Sequence, residues 1–316
     1  MPFNDEHVIP KWVLRRFGLH GRQIEISNET LLRYRSLTVP CCVSCNTEMG
    51  DRFEKPMSTL FAGGYNAVSQ ELEDHGPWLL FCWVALIFLK AHLKDKSLNY
   101  HLDRRKGDMK VGEIHSWEEL HHLHCVARSF YTNAVLDREV LGSLVVLPAK
   151  VRPHFERFDF IDLSLAQTML LATDDIAIIA VFNDAGAALA VGFEDIQKIG
   201  GPLSPIQRRE LAARFAAINL QVQPRTRFIS TFDIAAEEYR IVAERPDEVH
   251  IPAWDDDILG KIMYMVSRNL LTVFRDGEMI GSLVRSGRYT FLTTPDGLFD
   301  ANSMELEPKF GSDQDG

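Results

Sequence analysis

Twelve consecutive apolar residues, Trp78 to Leu89 (WLLFCWVALIFL), stand in the chain and stop at Lys90, with His92 and Lys94 just beyond. A helix needs about 20 apolar residues to span a bilayer, whereas a run of roughly 10 to 14 marks a buried core helix. The run therefore predicts a helix enclosed by the rest of the protein, and no membrane partner. Pro77 suits the first turn of that helix, where its missing N–H costs nothing. Enclosing such a helix takes a sizeable core, and 316 residues, 46% hydrophobic and 25% charged, are enough for about two domains. The opening MPFNDEHVIP lacks the basic start, apolar run and small-residue cleavage site of a secretory signal. Five cysteines (41, 42, 45, 82 and 125), three of them within five residues, do not suit a long-loop disulfide framework. The expectation is a reducing, cytoplasmic compartment.

Three stretches differ in texture, and no repeat of solenoid or propeller period joins them. Residues 1–57 are short on apolar runs and dense in polar motif residues. Residues 58–141 read as helical: SQELEDHG, the apolar run, then WEELHHLHCVARSFYTNAVL with Leu120, Leu123, Ala127 and Phe130 near helical spacing. Residues 142–316 read as a mixed, β-rich domain with one or two helices, for recognition of a target or partner. Its predicted strands are SLVVLPAKV, TMLLATDDIAIIAVFNDAGAALAVGF broken by turn residues, EYRIVAE, NLLTVFRDGEMIGSLV with a tight turn at Asp276-Gly277, and GRYTFLTT. Ser204 and Pro205 predict the N-cap and first turn of a helix through SPIQRRELAARFAAINL. The charged Gln207–Glu210 segment reads as its outer face, and Asp255–Asp257 as a second helix start. The fold class is α+β.

The formal charge of −10, from 34 Lys+Arg against 44 Asp+Glu, argues against coating nucleic acid by bulk charge and leaves room for a local basic groove. Such a groove is expected in the linker after the apolar run, at Lys94, Lys96, Arg104, Arg105 and Lys106. Walker, Rossmann and Gly-x-Ser-x-Gly signatures are absent, which removes ATPase, dehydrogenase and α/β-hydrolase readings.

The chemistry-bearing residues cluster in the first stretch. Asp5-Glu6-His7 offers two carboxylates and an imidazole; Cys42-Val43-Ser44-Cys45-Asn46 offers two thiols and an amide; Gly50 and Glu54 follow. Carboxylate and amide oxygens suit Mg²⁺ or Mn²⁺, while paired thiolates suit Zn²⁺. A neutral imidazole, with a pKa of about 6.5, accepts a proton at physiological pH.

The series Glu6-His7-Val8-Ile9-Pro10, Cys42-x-x-Cys45-Asn46 and Gly50-x-x-x-Glu54 resembles the HNH endonuclease family, in its E-H-V-I-P…C-x-x-C-N…G-x-x-x-E variant, over about 50 of the 316 residues. The resemblance implies a ββα-metal module at 1–57: a hairpin carrying the acid and histidine, packed on a helix, with Mg²⁺ or Mn²⁺ between them. It implies His7 as general base, Glu6 and Asn46 as catalytic residues that also hold the cation, and Glu54 as a further metal helper on roughly the face of Asn46. It implies a metal-dependent endonuclease cutting nucleic acid, DNA first, in a setting such as prokaryotic restriction or anti-phage defence, with a regulatory protein as a candidate partner. Zinc-bearing members resembling this pattern have another cysteine pair before the E-H, which is missing here. Cys42 and Cys45 are thus half of a zinc site at most, with His121 and Cys125, four apart on one helix face, as candidate closing ligands. The alternative is a catalytically degenerate ββα binding module or a zinc-stapled scaffold.

Overall fold

A computed structural model describes residues 2–26, 28, 30–113, 120–151, 157–272 and 276–303. Strand β1 (Phe3–His7) leads into the short helix α1 (Lys11–Arg16) and a small hairpin of β2 (Gln23–Glu25) and β3 (Leu31–Arg33). Strand β4 (Thr38–Cys42) then runs directly into α2 (Val43–Met49), which continues through a π-helical turn (Gly50–Glu54) into α3 (Lys55–Ala62). Next come α4 (Gly64–His75), α5 (Trp78–Asp95), α6 (His121–Thr132) and β5 (Val135–Leu136). Strands β6 (Leu144–Pro148), β7 (Phe158–Leu163), β8 (Thr168–Thr173) and β9 (Ile176–Val181) precede α7 (Ala187–Gln197) and α8 (Pro205–Gln221). A ribbon of β10 (Arg227–Asp233) and β11 (Glu238–Glu244) and two helices, α9 (Asp256–Leu271) and α10 (Gly277–Arg285), complete the described elements.

The chain divides into two compact units: Met1–Leu141 with Arg227–Glu244, and Gly142–Thr226 with Arg245–Gly316. In the first, β1 and β4 pair antiparallel, Phe3 opposite Cys42 and His7 opposite Thr38. The β10–β11 ribbon belongs to this unit, where β11 also pairs in parallel with β5. Helix α5 is apolar all round and is buried accordingly, with Trp83, Phe81, Ile87 and Phe88 inaccessible to solvent. Its Trp83 ring stacks on Trp12 and meets Phe61 edge-on, at centroid distances of 6.1 and 5.2 Å. Among the described residues no single helix is long and apolar enough to cross a membrane.

The second unit is a four-stranded antiparallel sheet, β6-β9-β8-β7, with α8 across it. Ser204 caps α8 as its sequence predicts: Ser204 Oγ accepts from Gln207 N–H while Gln207 Oε1 accepts from Ser204 N–H. Asp255 likewise caps α9 through Asp257 N–H.

Four expectations for this unit need correction, the first being GRYTFLTT, expected as a strand, which forms only an isolated bridge between Thr293 and Phe299. The segment after Gly186, expected to continue a hairpin, is helix α7; Gly186 in the left-handed region and the alanines that follow favour a helix start. The region expected as strands around Asp276-Gly277 is the helical pair α9 and α10, residues 273–275 lying outside the described set. Gly277 serves close packing here, since a Cβ there would lie 2.0 Å from the Leu271 carbonyl oxygen. The Gln207–Glu210 segment is no outer face, because α8 is covered by β8 and β9, by α7 and by α9. Gln207, Arg208 and Glu210 are buried, and their polar groups find partners inside the unit.

Candidate active site

The strand–strand–helix frame follows from local sequence. Val39 and Val8 are buried, and Pro10 ends the extended stretch after His7 and opens α1. Cys42 terminates β4 and caps α2, its Sγ accepting the Cys45 N–H at 3.3 Å. Helix α2 is thus tied to the strand that pairs with β1.

Glu6 is 9% exposed, and its Oε1 accepts a hydrogen bond from Lys90 Nζ at 2.9 Å. The same ammonium donates to the His7 carbonyl oxygen, also at 2.9 Å. Lys90 comes from α5 and is itself only 6% exposed. The sequence marked Lys90 as the end of the apolar run and the first cation of the basic linker, a candidate phosphate contact; the structure makes it the counter-ion of the motif acid. A lysine at the last turns of an otherwise apolar helix was the available signal, because a charge is rarely enclosed without a partner.

The His7 side chain is partly buried, and its Nδ1 is enclosed with no hydrogen-bond partner among the described residues. An imidazolium carries N–H on both nitrogens, so protonation would leave a buried donor without an acceptor. Burial first, then the Lys11 ammonium, hold its pKa below the ordinary 6.5 despite the opposing pull of Glu6. Both effects favour the neutral form of the ring.

Asn46 does not join His7. Its amide donates to Asn4 Oδ1 at 2.9 Å. Asn4 precedes His7 by three residues on β1, a rise of about 10 Å, and lies on the opposite strand face. Glu54, expected near the face of Asn46, instead accepts from Trp12 Nε1 at 3.0 Å. The π-helical turn that ends at Glu54 widens the spiral between the two residues and upsets the 100° phasing on which that expectation relied. Burial pushes the Glu54 carboxyl above its ordinary range, with Lys90 and the Trp12 bond pulling it down.

Of the thiols, Cys42 also lies 3.5 Å from Ser44 Oγ, and hydrogen bonding from Cys45 lowers its pKa while raising that of Cys45. Burial pushes Cys41 up to about 11 and Cys82 up to about 12. His121 and Cys125 do share a face of α6, with Nε2 and Sγ 3.6 Å apart, and both approach Ser230 Oγ, at 3.3 and 3.6 Å. Among the described residues no three His, Cys, Asp or Glu side chains converge as a metal site, so the Cys42–Cys45 and His121–Cys125 pairs are not gathered around one zinc. In the basic linker, Arg105 is engaged by both Asp103 oxygens at 2.8 Å, Lys94 is half-buried, Lys96 and Lys106 are exposed, and the Arg104 side chain lies outside the described set.

A divalent cation implied by the resemblance would need several oxygen donors converging on one point. The donor set does not fit it: among the described residues Glu6 Oε1 is held by Lys90, Glu54 Oε2 by Trp12, and the Asn46 amide is turned to Asn4 at the far end of β1, so the three do not converge. A doubly charged ion about 4 Å from the Lys90 ammonium would meet a repulsion of about 8 kcal/mol at an effective dielectric of about 20. Comparison of the chain with family models, with curated proteins and with solved structures found no match.

Proposed function

We propose that the N-terminal part of the first unit is an HNH-type ββα module acting on nucleic-acid phosphodiester bonds, DNA first, with His7 as proton acceptor. One observation carries this reading: the Glu6-His7 strand pairs antiparallel with the strand that runs straight into the Cys-x-x-Cys-Asn helix. That is the strand–strand–helix order the motif series implies. The setting of His7 supports it chemically, since burial favours the neutral ring and a neutral imidazole can take a proton from an attacking water. Its setting in this reading is cytoplasmic, in restriction or anti-phage defence, with the second unit recognising a target or a regulatory protein.

The test is incubation of the full chain with supercoiled plasmid in Mg²⁺, in Mn²⁺ and in EDTA, for the wild type and His7→Ala. Nicking by the wild type that disappears in the variant is the expected result. Equal nicking by both proteins overturns the assignment of His7.

A second reading has its own support. Glu6 neutralised by Lys90 suits a degenerate module that holds nucleic acid without cutting it. Retained, salt-sensitive DNA binding with no nicking under any of the three conditions is its signature.

A further inference from the structure

We propose that Lys90 is the resident cation of the motif carboxylate: its ammonium occupies the place at Glu6 that a divalent metal would take, so the ββα module carries a fixed positive charge instead of a bound ion. The inference rests on the HNH-type reading for what that place is, and on the geometry for what fills it.

Lys90 Nζ lies 2.9 Å from two hard oxygen atoms, Glu6 Oε1 and the His7 carbonyl. These are a side-chain and a main-chain oxygen from adjacent residues, the kind of donors that hard cations bind. The ammonium satisfies both by hydrogen bonding. It reaches them from 84 residues away in sequence, on a helix whose neighbouring residues Phe88, Leu89, Ala91 and His92 are all buried. A lysine enclosed in such surroundings is tolerated because the carboxylate opposite compensates its charge. The converse also holds: Glu6, 12% exposed at its side chain, has its charge met from within the chain. Glu54 is a second carboxylate near this ammonium, and it is held instead by the Trp12 Nε1–H.

The replacement has a consequence that does not depend on catalysis. Removing the ammonium while keeping Glu6 uncovers one carboxylate oxygen and one neutral carbonyl oxygen, two donors to which Mn²⁺ can bind with water completing its shell. Titrations of Mn²⁺ into the full chain, followed by electron paramagnetic resonance of the free ion, read this directly. The wild type is expected to bind no Mn²⁺ that Glu6→Gln removes. Lys90→Met is expected to bind Mn²⁺ at least about tenfold tighter than the wild type, and Lys90→Met/Glu6→Gln is expected to lose that gain. Circular dichroism establishes that each variant is folded.

One Mn²⁺ per wild-type chain, abolished by Glu6→Gln, would overturn the proposal, as would a folded Lys90→Met variant with no gain. If Lys90→Met does not fold, the wild-type and Glu6→Gln titrations decide it alone. Because the readout is metal binding, failure of the nicking assay removes the nuclease reading and leaves this measurement to be judged separately.

Discussion

Lys90 in the first unit and Arg208 in the second are both cations withdrawn from water, at 6% and 3% exposure, yet their surroundings differ. Arg208 shares Asp159 with Arg209, whose Nε and Nη2 grip the two carboxylate oxygens at 2.9 and 2.8 Å while its Nη1 donates to the Val266 carbonyl. Burial pushes the Asp159 carboxyl up, but Arg209 and Arg208 together hold it below its ordinary range. This centre joins β7, α8 and α9 and touches no motif residue. Lys90, by contrast, ends on Glu6 and on the carbonyl of His7, at the edge of a strand whose last side chain is partly exposed. Burial of charge is therefore a poor guide to function by itself. What separates the two centres is the His7 imidazole beside one of them, a group that can exchange a proton near neutral pH.

The comparison breaks most visibly if the second-unit centre is dismantled. Asp159→Ala leaves Arg208 enclosed without its carboxylate, and removing one partner of a buried pair costs about 3–5 kcal/mol. Chemical denaturation should show a loss of that size, growing less pronounced as pH falls and the wild-type carboxylate itself takes up a proton. In the first unit, Glu6→Gln and Lys90→Met should each cost about 3 kcal/mol, with the double variant recovering part of the loss. A strictly additive double variant would mean that the two groups do not depend on each other.

Smaller effects sharpen the contrast. Ser204→Ala removes a reciprocal cap on α8 and should cost about 1 kcal/mol, more if the buried Ser303 hydroxyl, 2.7 Å away, is left without a partner. An unchanged denaturation midpoint would mean that α8 is held by its burial alone. Glu54→Gln should act in the opposite direction. Glu54 has its pKa raised in the folded protein, so its contribution to stability is complete below its ordinary value of 4.5 and is lost as pH rises through the folded value. Glutamine keeps an oxygen to accept from Trp12 Nε1 and has no charge to enclose. The variant should gain on the wild type as pH is raised from 4 to 8, read as a widening gap in thermal midpoint.

Much of this was legible in the sequence because local signals sufficed. The apolar Trp78–Leu89 run became the buried α5, Ser204-Pro205 became the cap and first turn of α8, and Asp255 became the cap of α9. The α+β class followed from those patterns. What could not be read depends on long-range pairing. The 227–244 ribbon joins the first unit through β5, just over a hundred residues before its partners on β11, and nothing local in RFISTFD announces that. Likewise α8 looked like a surface helix because its charges were visible and Asp159 and Thr290, which meet them, were remote. At the site, the family resemblance implied a strand for Glu6 and His7 and a helix after the thiol pair, and these residues lie on β1, β4 and α2. The Lys90 partner and the π-helical turn before Lys55, which redirect Glu6 and Glu54, were not foretold.

The subtlest expected effect concerns His7, and it bears on how completely Lys90 neutralises Glu6. Its pKa is lowered in the folded chain, so around pH 6 the unfolded chain binds more protons than the folded one. Stability contributed by this ring is therefore complete above the ordinary value of 6.5 and declines as pH falls through that value toward the folded one. Glu54 runs the other way over a neighbouring range, so a comparison within the Glu54→Gln background isolates the histidine. Nuclear magnetic resonance of the His7 ring, assigned by its loss in His7→Ala, should give a midpoint below 6.5. A midpoint above it would mean that Glu6 reaches the ring despite Lys90, and that the ammonium does not neutralise the carboxylate in the way its two hydrogen bonds indicate.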